Sequence, residues 1–85
     1  MRPPGHLRKR SFQLAGHRTS VALEPEFWAA LERAARRRGL SLAALVTEID
    51  TARTEASHPL ASALRLHALL EAGRGDADEA AAAPR

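Results

Sequence analysis

From Arg18 to Leu23 the chain alternates polar and apolar side chains, Arg-Thr-Ser-Val-Ala-Leu, and the alternation stops at Glu24-Pro25. Thr19, Val21 and Leu23 fall on one side of such a strand, and Arg18, Ser20 and Ala22 on the other. A strand this short cannot stand alone, because its backbone N–H and C=O groups need a partner. The segments behind it have helical spacing and offer apolar stripes rather than a sheet. The economical partner is a second copy of the chain, so that two strands pair as an antiparallel ribbon and four helices close over it. The expected fold is mostly α with one short β-ribbon, an intertwined homodimer, with a third helix at the C-terminal side.

The stretch just upstream leaves two arrangements open. Phe12 and Leu14 share a face, and Ala15-Gly16-His17-Arg18 contains a turn signal. Residues 11–23 are then either one long extended segment with a bulge near Gly16 or a hairpin. Residues 1–10, rich in Pro, Gly and Arg, read as a flexible basic arm.

Pro25 opens the first helix, where its fixed φ suits the first turn and its missing N–H costs nothing. Glu24 and Glu26 put negative charge at that end, where the helix dipole favours it. Phe27, Leu31, Ala34 and Ala35, with Trp28 alongside, make an apolar stripe. Phe27 and Trp28 are adjacent, so one belongs in the core and the other at a dimer or partner surface. Arg36, Arg37 and Arg38 fill the last turn, and Gly39 supplies the left-handed residue that ends the helix. Ser41 is a good N-cap for a second helix with Leu42, Leu45, Val46 and Ile49 as its stripe, fraying around Arg53 to Ser57. Pro59 starts a third helix. Leu60, Leu64 and Ala68 lie on one side of it, and Leu66, Leu69 and Leu70 widen the stripe. Gly73 and Gly75 stop it. The folded domain is then 11–72 and residues 73–85 form a disordered, alanine-rich tail. Thr19, Val21, Leu23, Phe27, Leu31, Leu45, Val46 and Ile49 form the expected dimer core.

With 85 residues the chain holds one small domain, and its core as a monomer is marginal. The absence of cysteine excludes disulfides and thiolate metal sites, and fits a reducing compartment. No apolar run reaches membrane-span length, and no hydrophobic segment follows the basic N-terminus as in a secretory signal. A cytoplasmic protein without membrane association is the expectation, and the Arg- and Ala-rich composition with a single Lys suggests a GC-rich bacterial genome. Net charge is +3, unevenly spread: residues 1–38 hold nine Arg or Lys against three acids, and residues 39–85 four against seven. A positive front half suits a polyanion.

Catalysis finds no support. His6, His17, His58 and His67 show no pair at metal-ligand spacing, and no nucleophile elbow, phosphate loop or metalloprotease pattern is present. Glu48 and Asp50 are too close in sequence to share a helix face. No cofactor or metal is expected. The strand face is the sharper candidate. Thr19, Val21 and Leu23 point inward, leaving Arg18, Ser20 and Ala22 free, and a β-ribbon can enter the DNA major groove. The Gly39-Leu40-Ser41 turn presents a helix N-terminus, a place where phosphate binds. Arg36 to Arg38 either reach a DNA backbone or solvate the helix end.

The order of alternating strand, Pro-started helix, Gly-Leu-Ser turn and second helix, over roughly residues 18–53, resembles the ribbon-helix-helix superfamily. Arg8-Lys9-Arg10-Ser11, Ala15 to Val21 with Phe27-Trp28, Ser41 to Asp50 and Ser62-Ala63-Leu64-Arg65 look like a bacterial subfamily of small ribbon-helix-helix domain proteins. The resemblance implies dimeric, sequence-specific binding of double-stranded DNA, often by repressors or antitoxins. It places Arg18, Ser20 and Ala22 at base-reading positions and Ser41 and Leu42 at the phosphate-clamping turn. Arg8, Lys9 and Arg10 are further phosphate candidates from the basic front half. Ala22 departs from the usual polar residue and offers only a methyl contact to thymine. The expected function is a dimeric transcriptional regulator. The alternative is a dimeric protein-interaction module or accessory subunit without base reading, with residues 58–72 as its partner surface. A hairpin shielding the ribbon favours the second, and free access to Arg18 and Ser20 the first.

Overall fold

The computed structural model describes residues 6–53 and 59–82, with side chains as far as residue 73. Residues 1–5 of the expected arm, 54–57 of the expected fraying, His58 and the end of the tail at 83–85 lie outside the described residues.

The strand β1, Arg8–Leu14, runs antiparallel to β2, His17–Leu23. Ala15 and Gly16 join them with φ of 51° and 82°. Two consecutive left-handed residues mark a two-residue type I′ turn, whose twist matches that of the flanking strands. The hairpin is therefore the arrangement that forms. The partner strand of β2 thus lies in the same chain, where a second copy was the economical expectation. Arg8, Lys9 and Arg10 obscured it: they read as a run of charge, yet they are the first three residues of β1.

The helix α1, Pro25–Arg37, follows after Glu24, and α2 spans Leu42–Ala52. Between them Gly39 sits at φ 69°. The Leu40 N–H donates to the Ala35 carbonyl at 2.8 Å and the Gly39 N–H to that of Arg36 at 3.1 Å. These two bonds are the Schellman pattern that only a left-handed residue at position 39 permits. Ser41 Oγ then accepts from the Ala44 N–H at 3.0 Å, capping α2.

The third helix, α3, covers Leu60–Ala82. It runs through Gly73 and Gly75, where a stop was expected. Each glycine costs a helix about 1 kcal/mol, but the alanine-rich stretch beyond has the highest helix propensity.

The hairpin and the three helices share one core. Phe12, Leu14, Val21 and Leu23 meet Trp28, Leu31, Ala34 and Ala35 of α1, Leu45, Val46 and Ile49 of α2, and Leu64 and Ala68 of α3. Leu23, Leu31, Leu45, Leu64 and Val46 are fully buried. Each such side chain contributes roughly 1.5–3 kcal/mol of transfer free energy. Trp28 takes the core position and Phe27 is only half-buried. No described helix is long and apolar enough to cross a membrane.

Candidate nucleic-acid interface

Opposite residues of an antiparallel pair share a face, so the register divides the hairpin cleanly. Arg8, Arg10, Phe12 and Leu14, with Leu23, Val21, Thr19 and His17 opposite them, face the helices. Lys9, Ser11 and Gln13, with Ala22, Ser20 and Arg18 opposite, face away. All six outward residues are exposed except Ala22, which is half-buried. Arg18, Ser20 and Ala22 thus lie together on the free face. Beside them stand Ser11 and Gln13, which sequence reasoning did not single out because it left open whether residues 11–14 pair with the following strand or extend it.

The basic residues at positions 8–10 part company. Lys9 is on the free face. Arg10 turns to the helix side, where its Nη1 donates to Glu32 Oε2 at 2.9 Å and its guanidinium lies 5.2 Å from the Trp28 ring centroid. The Trp28 Nε1–H donates to the Arg8 carbonyl at 2.8 Å, and its ring lies 5.9 Å from that of Phe12. A groove of about 210 Å³ separates the two elements here, with Arg8, Lys9 and Arg10 on one side and Pro25, Trp28, Ala29 and Glu32 on the other.

Ion pairing sorts the remaining positive charges. Arg37 Nη2 donates to both Oε1 and the backbone carbonyl of Glu71, at 3.1 Å each. Arg38 pairs with Glu48 at 2.7 Å and Arg53 with Asp50 at 3.0 Å. Arg37 therefore ties α1 to α3, in neither of the two roles expected for it. Glu71 is buried, and His67 Nε2 lies 3.3 Å from its other oxygen in an alignment too poor for a hydrogen bond. Arg8, Lys9, Arg18, Arg33 and Arg36 take no part in an ion pair among the described residues. Two of these five, Lys9 and Arg18, stand on the free face, which carries no acid.

Below the hairpin, Arg65 Nε donates to Glu24 Oε1 at 3.0 Å, and its guanidinium lies 5.8 Å from the Phe27 ring centroid. The Glu24 carboxylate is held below the ordinary carboxylate value, first by a hydrogen bond from its own backbone N–H and then by that from Arg65. This clamp closes the start of α1 against α3.

The start of α2 is a second polar feature. Ser41 is exposed and Leu42 half-buried, and the Ser41 hydroxyl oxygen is engaged in the cap. The Leu42 and Ala43 N–H groups precede the first intrahelical donor, that of Leu45, which bonds the Ser41 carbonyl. Among the described residues no group of three or more His, Cys, Asp or Glu is placed to hold a metal ion.

The family model of the ribbon-helix-helix domain matches residues 7–72, which takes in the hairpin, α1, α2 and the first half of α3. The chain belongs to the ribbon-helix-helix family. Ribbon-helix-helix domains generally bind DNA as transcriptional regulators, typically as homodimers, and are typically non-enzymatic. No curated protein and no solved structure matches the chain.

Proposed function

We propose that this ribbon-helix-helix protein is a homodimeric transcriptional regulator of the bacterial cytoplasm that sets the free face of its ribbon into the DNA major groove. The observation that carries this reading is the makeup of that face: Lys9 and Arg18 exposed, without ion-pair partners among the described residues, and no acid beside them. β1 lies beside β2 rather than over it, so Arg18 and Ser20 stay accessible. Arg18 suits the O6 and N7 acceptors of guanine, Ser20 a single hydrogen-bonding partner beyond its bond to Ser11, and Ala22 a thymine methyl. The N-terminus of α2 at Ser41 and Leu42 suits a phosphate. Of the other phosphate candidates Lys9 fits best, since Arg10 is held by Glu32 and Arg8 is on the helix-side face.

The test is binding of the unmodified chain and of Arg18→Ala to a duplex selected from a random pool and to unselected DNA. Arg18→Ala should lose about 1–3 kcal/mol on the selected site for each bidentate contact removed, and much less on unselected DNA. Equal losses on both mean that the ribbon does not read sequence. The competing reading, a dimeric protein-interaction module, is favoured by one observation. Leu66, Leu69 and Leu70 form an apolar stripe on α3 that is 51%, 60% and 72% exposed. Failure to bind either DNA at low salt would favour that reading.

A further inference from the structure

The free face of the hairpin is two strands wide within one chain. A two-residue turn is closed by a hydrogen-bonded pair, here Leu14 and His17, so alternation makes Gln13–Arg18, Ser11–Ser20 and Lys9–Ala22 the non-hydrogen-bonded pairs. The backbone groups of Arg18, Ser20 and Ala22 therefore point out of the far edge of β2, where a second copy can add a strand. Arg8 and Arg10 of β1 are engaged on the helix-side face by α1, through the Trp28 bond and the Glu32 bridge. Joining two copies along β2 gives a sheet of four strands with the two β1 strands outermost.

Strands lie about 4.8 Å apart, so the outermost strands of that sheet are separated by about 14 Å. The major groove is about 12 Å wide. The two β2 strands face the groove floor, and the β1 strands come to lie over its walls, where the phosphates are. We infer that β1 supplies an outer row of DNA-backbone contacts, made by Lys9 and Gln13. Ser11, between them, is occupied by Ser20 at 2.8 Å. Lys9 and Gln13 are both exposed, with no hydrogen bond or ion pair of their own among the described residues. They stand four residues apart, about 14 Å along the strand. This rests on the proposed reading of the ribbon as a DNA-binding face.

Two measurements test it. The chain has no cysteine, so single cysteines report which strands meet. Under mild oxidation one of Arg18→Cys, Ser20→Cys or Ala22→Cys should cross-link two copies, and none of Lys9→Cys, Ser11→Cys or Gln13→Cys should. Cross-linking in the second set would put β1 at the centre and overturn the inference. Titrations then follow Lys9→Ala and Gln13→Ala on the selected and unselected duplexes over a salt series. Both variants should weaken binding several-fold and equally on the two DNAs, because phosphates carry no sequence. Lys9→Ala should also lower the slope of log affinity against log salt by about 2 per dimer, while Gln13→Ala, being neutral, leaves it unchanged. If Arg18→Ala loses the selected site but Lys9→Ala and Gln13→Ala bind normally, the ribbon reading stands and the outer row does not exist. Losses confined to the selected site would make these residues base readers and overturn the inference equally. If the unmodified chain binds no DNA, both readings fall.

Discussion

The hydroxyl oxygens of Ser11 and Ser20 lie 2.8 Å apart at the middle of the free face, so the two strands are joined there by side chains as well as backbone. One hydroxyl donates to the other, which fixes the rotamer of Ser20. Ser11→Ala and Ser20→Ala, with the double variant, should show a coupling of about 0.2–1 kcal/mol in urea unfolding, the range for cross-strand pairs. On DNA, Ser11→Ala should relax sequence choice at the position Ser20 meets, because a freed hydroxyl turns to either kind of partner.

Arg37 is the arginine whose loss should be felt in the fold. Arg37→Ala leaves the buried Glu71 carboxylate without its guanidinium, and should destabilise the chain by about 1–3 kcal/mol. Arg36→Ala, one residue earlier and exposed, should change stability by no more than about 0.5 kcal/mol. Urea midpoints of the two variants make the comparison directly, since both remove one charge.

The Glu24–Arg65 clamp sets a pH dependence. The folded-state pKa of Glu24 is depressed below its ordinary 4.5. Its contribution to stability is therefore fully present above about that pH and is lost as pH falls through the lower folded value. The melting temperature should fall on acidification through that window, and Glu24→Gln should make the fall shallower. A Glu24→Gln profile parallel to that of the unmodified chain would remove the clamp from the account.

At the hairpin turn Ala15 holds a φ of 51° that an L-residue with a Cβ adopts at a cost. Ala15→Asn should stabilise the chain by about 0.5–1 kcal/mol, because asparagine tolerates this region and Asn-Gly is the favoured type I′ pair. Gly16→Ala should destabilise by about 1–2 kcal/mol from backbone strain alone, since a Cβ there meets nothing within 4 Å. Chemical denaturation of both variants tests the turn type.

The parts of the fold that rest on local chemistry were legible in the sequence. Pro25, Gly39 and Ser41 each act through their own backbone or side chain within a turn or two, and each marks the boundary it was expected to mark. Val21 and Leu23 are buried and Arg18 and Ser20 exposed, as alternation requires. The parts that rest on distant partners were not legible. Nothing local shows that Arg8 lies opposite Leu23, or that Arg37 reaches a carboxylate 34 residues away. A count of charge along the chain could not tell Arg10, held by Glu32, from Lys9 beside it. Ser11 and Gln13 were missed for the same reason, because only the pairing of β1 with β2 sets them beside Ser20 and Arg18.

The hairpin also decides when in the life of the chain the ribbon can arise. Its ladder joins residues at most fifteen positions apart. Contacts so local form early and cheaply, with hairpins closing on the order of microseconds. In a ribbon built from one strand of each of two chains, the sheet waits for an encounter and its formation is second order in protein. Here the sheet closes during a first-order step on a newly made chain. Its rate does not depend on how many copies the cell holds, and in the proposed dimer association is left to join surfaces that already exist.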